Sequence, residues 1–144
     1  LSLKIDVGCG GNTLCPFGSV EADVYCDLRK PISKLQNFVL CDVQCLPFRS
    51  NVFDEVYCIR VLGHVENPIL ALRELWRVSS GFIEIEVAHR CGKWRKPQLQ
   101  RQAFSKTYLE TVFQGHRKQF TVEYAPLLPF FITPRHIQLR VWKR

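Results

Sequence analysis

Methionine is absent from the 144-residue chain, even at position 1, so an element preceding Leu3 in a longer protein would not be visible in it. No run of about 18 apolar residues occurs, which excludes a membrane-spanning helix. No basic-then-apolar leader opens the chain, which argues against secretion and predicts a cytoplasmic protein. The seven cysteines (Cys9, Cys15, Cys26, Cys41, Cys45, Cys58 and Cys91) form no Cys-x-x-Cys pair, and no histidine stands at zinc-finger spacing, so no metal is expected. Bridges Cys41–Cys45 and Cys9–Cys15 stay open on sequence alone, while Cys26, Cys41 and Cys58 read as small buried hydrophobes. Two nucleotide signatures are missing as well. Gly-x-Gly-x-x-Gly fails at Thr13, and no loop ends in Gly-Lys-Ser/Thr, so nicotinamide cofactors and ATP are disfavoured.

Acidic residues are scarce in the last third. Residues 1–89 carry eight Lys+Arg and eleven Asp+Glu, net −3, whereas residues 90–144 carry twelve Lys+Arg and only Glu110 and Glu123, net +10. The asymmetry suggests a polyanion-facing surface there. The length and 47% hydrophobic content suit one domain, residues 1–144, around one core.

Short apolar runs bounded by turn residues predict strands at Leu3–Val7, Ala22–Cys26, Phe38–Cys41, Val56–Ile59 and Phe82–Val87, of the kind buried in parallel sheets. Asn67-Pro68 predicts a helix start, with Ile69, Leu72 and Trp76 on one face and an end near Ser79-Ser80-Gly81. Ser105 predicts the cap of a second helix over Thr107–Phe113, stopped by Gly115. Two alternating runs, Gln119–Tyr124 and Ile137–Trp142, close the chain, and Pro126–Pro134 between them is too long for a tight hairpin. Residues 8–21 hold three glycines besides Pro16 and Gly18, so the first crossover helix is expected to be short or absent.

Three strand ends carry glycine or carboxylate: Gly8-Cys9-Gly10, Asp27 and Asp42. Parallel α/β sheets hold ligands along that edge. Glycine lets the backbone approach a ligand, and Asp27 stands where a carboxylate can accept both ribose hydroxyls. Asp42 could accept from an adenine amine, although a cap or turn role is the simpler one. Asp6 lies in an apolar strand end, where a buried charge needs a partner.

Together these residues resemble the class I S-adenosylmethionine-dependent methyltransferases. The match runs through Asp6-Val7-Gly8-Cys9-Gly10-Gly11, Asp27, Asp42-Val43-Gln44-Cys45-Leu46-Pro47-Phe48 and Phe53-Asp54-Glu55-Val56. It continues through Leu62-Gly63-His64-Val65, Asn67-Pro68 and Leu72-Arg73-Glu74-Leu75, covering about residues 3 to 87. The resemblance implies an α/β, Rossmann-like fold: a seven-stranded, mostly parallel sheet, its last strand antiparallel, with helices on both faces. It implies S-adenosyl-L-methionine as cofactor, with Gly8, Cys9 and Gly10 at the methionine moiety and Asp6 among the cofactor-binding residues. Asp27 would hold the ribose, Leu28, Asp42 and Val43 the adenine, and Arg60 would border the methyl-transfer cavity. The chain departs from the family at Gly63, where a glutamate usually precedes the histidine, and in its reduced first crossover, as in a compact subgroup.

His64 and His89, at the ends of the fourth and fifth strands, are the candidate catalytic bases, against a structural role for each. The segment His89–Lys96 interleaves Arg90, Lys93, Arg95 and Lys96 with Trp94, a composition suited to phosphates and an unpaired base. The expected acceptor is therefore RNA. A non-catalytic adaptor binding a protein or nucleic-acid partner, and a small-molecule methyltransferase, are the alternatives. The family's Asn/Asp-Pro-Pro-aromatic motif for exocyclic base amines does not follow the fourth strand.

Overall fold

A computed structural model describes residues 2–9, 24–27, 37–90, 102–128 and 131–143. Seven strands, β1 (Lys4–Val7), β2 (Val24–Asp27), β3 (Phe38–Leu40), β4 (Phe53–Ile59), β5 (Ser79–Ala88), β6 (Lys118–Leu128) and β7 (Phe131–Trp142), form one sheet. Its order is β3-β2-β1-β4-β5-β7-β6. The first five strands pair in parallel, and β7 runs antiparallel to both β5 and β6. The expected sheet is the observed one, seven-stranded and mostly parallel with its last strand antiparallel. The segments joining β1 to β2 and β2 to β3 lie outside the described residues, and the expected reduced crossover lies there with them.

Helix α1 (Pro68–Val78) starts where the sequence places it. Asn67 Oδ1 accepts from the amides of Ile69 and Leu70, satisfying two of the first-turn N–H groups. Its inward face is Pro68, Ala71, Leu72, Leu75 and Val78; Ile69, expected on that face, is exposed. The helix passes directly into β5 at Ser79. Helix α2 (Lys106–Val112) is capped by Ser105, whose hydroxyl accepts from the Tyr108 amide at 3.1 Å. Trp76 of α1 meets Phe113 at the end of α2, ring centroids 6.0 Å apart, so the two described helices share one face of the sheet. Beneath them Ile83, Ile85, Val87, Ile137, Leu139 and Val141 are all fully or almost fully buried.

The closing hairpin corrects the sequence reading. The strands continue through the proline-containing stretch until Leu128 pairs with Phe131, leaving only two residues to connect them. Proline breaks interior strands because it lacks an N–H, but edges and bulges tolerate it. Pro126 lies on the edge strand β6 beside a register shift, and Pro134 lies next to another, beyond the residues that pair with β5. Of the two bridges left open by the sequence, Cys41–Cys45 is not formed, both being free thiols; Cys15, one half of the Cys9–Cys15 bridge, lies outside the described residues. Cys26 and Cys58 are buried as expected, and Cys41 is half-buried.

Candidate functional site

The carboxyl ends of β1 and β2 are bound together at the glycine turn. The amides of Gly8 and Cys9 both donate to the Cys26 carbonyl, at 2.6 and 3.3 Å. Gly8 has φ +79°, and a Cβ there would come within 2.1 Å of Val61 Cγ2. Glycine is required twice over, for the left-handed backbone and for the close approach of the segment following β4. The Cys41 amide donates to the Asp27 carbonyl at 2.8 Å, which brings the exit of β3 against β2. Gly8, Asp27 and the turn at Asp42 thus follow one another along a single edge.

The electrostatics of this edge are unusual. Asp6 is 6% exposed, and burial, reinforced by the nearby Asp27 carboxylate, raises its carboxyl from 3.8 to about 6. Burial also pushes the Cys9 thiol up to about 12, with Asp6 and Asp27 adding to the effect, so Cys9 is a neutral thiol. Two carboxylates and a neutral thiol beside a glycine turn suit a ligand bearing positive charge.

The turn that positions Asp42 and Val43 is built from α1. Both oxygens of Asp42 accept from the Gln44 side-chain amide, and Oδ1 also accepts from the Gln44 backbone at 2.8 Å. This Asx-type turn accounts for an acid at that position. Gln44 Oε1 then accepts from the Asn67 amide, joining the turn to the α1 cap. Glu74 accepts from the Leu46 amide, while Arg77 donates to the carbonyls of Leu46 and Phe48. The Leu-Pro-Phe segment is thereby pinned to the helix, and Val43 and Leu46 are buried. Asp54 is structural: its carboxylate accepts from the Leu3 amide and the Ser80 hydroxyl, tying together the amino ends of β1, β4 and β5.

Arg60, just past β4, has φ 61°, a left-handed conformation uncommon outside glycine. Its Nε donates to Glu86 Oε1 at 2.6 Å, and its amide donates to the Glu86 carbonyl. Glu86 is fully buried, and its second oxygen has no hydrogen-bond partner among the described residues. His136 lies between Glu86 and Glu123, bonded to the latter at 3.0 Å. Nothing in the strand pattern of the sequence points to this pairing across β4, β5 and β7.

His64 sits exposed in the turn after β4, its amide bonded to the Val61 carbonyl. His89 is half-buried at the end of β5, where it forms an isolated bridge with Phe104. Burial, and next the Arg90 charge, lower its pKa, so its ring is neutral at pH 7. Arg90 is exposed beside it. Gly10, Leu28, Lys93, Trp94, Arg95 and Lys96 lie outside the described residues. Residues 102–104 are held to the segments that follow β4 and end β5: the Gln102 amide donates to the Gly63 carbonyl, and that of Phe104 to the Ala88 carbonyl. There Arg90, Gln102, Ala103, Phe104, Ser105 and Tyr108 line an open cavity of about 280 Å³. Of these only Arg90 stands out in the sequence as a binding residue. The Ser105 cap is legible there, but not what it brings together.

A family profile described as a methyltransferase domain matches residues 5–81, just over half of the chain. The chain belongs to the methyltransferase-domain family. The matched span runs from the buried end of β1 through the glycine turn, the Asp42 turn, β4 and α1. An uncharacterized protein of Methanocaldococcus jannaschii is 35% identical over 80 residues, which cover 53% of this chain and 35% of that one. The chain thus matches about a third of the length of that curated relative. Among solved structures, an S-adenosylmethionine-dependent methyltransferase from Archaeoglobus fulgidus aligns with 99% of this chain and 86% of its own, at TM-score 0.74 and 15% identity. Magnesium protoporphyrin IX methyltransferase from Synechocystis, solved with S-adenosylmethionine bound, aligns with 97% of this chain and 69% of its own, at TM-score 0.63 and 15% identity. The methyltransferase domain therefore has the fold of the S-adenosylmethionine-dependent enzymes.

Proposed function

We propose that this chain binds S-adenosylmethionine along the Gly8–Asp27–Asp42 edge and transfers its methyl group to RNA. The observation that carries the reading is the edge itself. A glycine turn that tolerates no side chain stands against β2, with the buried Asp6 and Asp27, the last residue of β2, beside it. Among the chain's own residues, Gly8, Cys9 and Gly10 line the methionine portion, and Asp6 offers negative charge to its ammonium group. Asp27 accepts from the ribose hydroxyls, with Leu28, Asp42 and Val43 at the adenine.

The bound cofactor supplies an electrophilic methyl group on a sulfonium. In-line displacement asks the protein mainly for proximity and alignment. When the acceptor carries a proton, a neutral imidazole can take it; His89, held neutral by burial, suits that role better than its sequence position alone implies. RNA as acceptor is supported by the net +10 of residues 90–144 and by the placement of Arg90 at the end of β5. Arg90, Lys93, Trp94, Arg95 and Lys96 would carry that contact.

The test is incubation with radiolabelled methyl donor and RNA, protein and metabolite fractions in parallel. Label in RNA supports the reading, and label only in metabolites overturns its acceptor. Lys93→Glu combined with Arg95→Glu should abolish labelling of RNA; an enzyme acting on a small molecule would be left nearly intact. A second reading, a fold-retaining adaptor without turnover, is favoured by Gly63, which stands where the family usually has a glutamate. Donor binding with no label in any fraction would support it.

A further inference from the structure

The cavity at the end of β5 has a composition of its own. We propose that it is a subsite for one unstacked nucleotide of a single-stranded RNA, with the base against Tyr108 and the phosphate on Arg90. This rests on the RNA reading above and narrows it to a place and a conformation. Tyr108 is 37% exposed, and its ring lies 6.0 Å from that of Phe104, which is 3% exposed. A buried ring thus packs against an accessible one at a 49° tilt, which leaves the accessible ring as a platform. Stacking on such platforms tolerates any base because every base presents a π-face.

The polar groups around the platform suit a nucleotide. Arg90 is exposed, and no carboxylate pairs with it among the described residues, so its charge is free for phosphate. Gln102 Nε2 donates to the Glu66 carbonyl at 3.1 Å, which fixes the amide and leaves Oε1 as an acceptor toward a base edge. Burial raises the Tyr108 pKa, so its hydroxyl remains a hydrogen-bond donor at neutral pH.

Size and position narrow the occupant further. About 280 Å³ is near the lower end of the range for ligand clefts, roughly 300 Å³, a size that suits a single base. Gln102 is bonded to the turn after β4 through Gly63, and Phe104 to the end of β5. The cavity therefore stands on the sheet edge that also carries Gly8, beside the position expected for methyl transfer.

The experiment measures binding of a short single-stranded oligoribonucleotide, the duplex of the same sequence, and S-adenosylhomocysteine, to the full chain and three variants. Tyr108→Ala should weaken single-strand binding by about 5- to 150-fold, the weight of one base–aromatic stack. Tyr108→Phe, which keeps the ring, should retain most of the affinity. Arg90→Gln should make the salt dependence shallower by roughly 0.7 in the log–log slope. Binding of S-adenosylhomocysteine should be unchanged throughout. The subsite is overturned if Tyr108→Ala binds the single strand as the parent does, if the duplex binds equally well, or if the variants lose S-adenosylhomocysteine too. If the parent chain binds S-adenosylhomocysteine but no RNA, the RNA reading itself has failed.

Discussion

The two ends of the carboxyl edge are built on opposite principles. At the β1–β2 end, Asp6 and Cys9 are buried, ionisable groups are displaced from their ordinary pKa values, and the backbone itself closes the turn. At the β5 end, the groups that stand out are Arg90, Gln102 and Tyr108, all at least partly accessible. On the proposed function, the first end takes a small cationic ligand of fixed shape. The second offers charge and a flat ring to something larger and more variable. A methyltransferase needs both, because its donor is constant while its acceptor sets its specificity.

The strongest way to break this comparison acts at the first end alone. Gly8→Val, with φ +79° and Val61 at 2.1 Å from a Cβ, should abolish S-adenosylhomocysteine binding in calorimetry, as should Asp27→Ala. Both should leave RNA binding unchanged; parallel loss of both ligands would mean that the ends are not separable.

Arg60→Ala leaves fully buried Glu86 without its cation and should cost about 3 kcal/mol in chemical denaturation. Replacing Arg60 and Glu86 together by apolar residues should recover much of that loss, since an apolar pair leaves no unpaired charge.

Asp6→Asn sharpens the comparison through its pH dependence. The raised pKa of Asp6 means that its protonated form is the one the fold favours. Its stabilising contribution is fully present below 3.8 and is lost as pH rises through about 6. Above pH 6 the substitution should therefore stabilise the ligand-free protein, by up to about 3 kcal/mol, while weakening binding of the cationic donor. In the parent chain donor affinity should fall as pH drops below about 6, with proton release on binding near that pH. Calorimetry in buffers of different ionisation enthalpy checks both.

The smallest effect serves as a control. Asn67→Ala removes the cap of α1 and should cost about 1 kcal/mol, lowering the melting temperature without shifting affinity for either ligand beyond what stability explains.

Much of the fold is legible in the order of residues alone. The strands β1 to β5 and both helix caps can be read there within a few residues, because buried parallel strands are short apolar runs and caps need particular side chains. The closing hairpin cannot. Its prolines signal a loop in a general sequence, and only the position of β6 at the sheet edge makes them tolerable. Asp42 is legible as a candidate, but its dual bond to Gln44 belongs to a turn that α1 holds in place.

Local chemistry alone determined the glycine turn, the acids that follow it, the helix starts and the charge partition between the two parts of the chain. Each of these depends on residues adjacent or a few positions apart. Folding decided the pairing of Arg60 with Glu86, the shift at Asp6 and the cavity floored by Phe104 and Tyr108. Those depend on which strands become neighbours and on how far water is excluded, and neither burial nor a contact across the sheet is written in the spacing of residues along the chain.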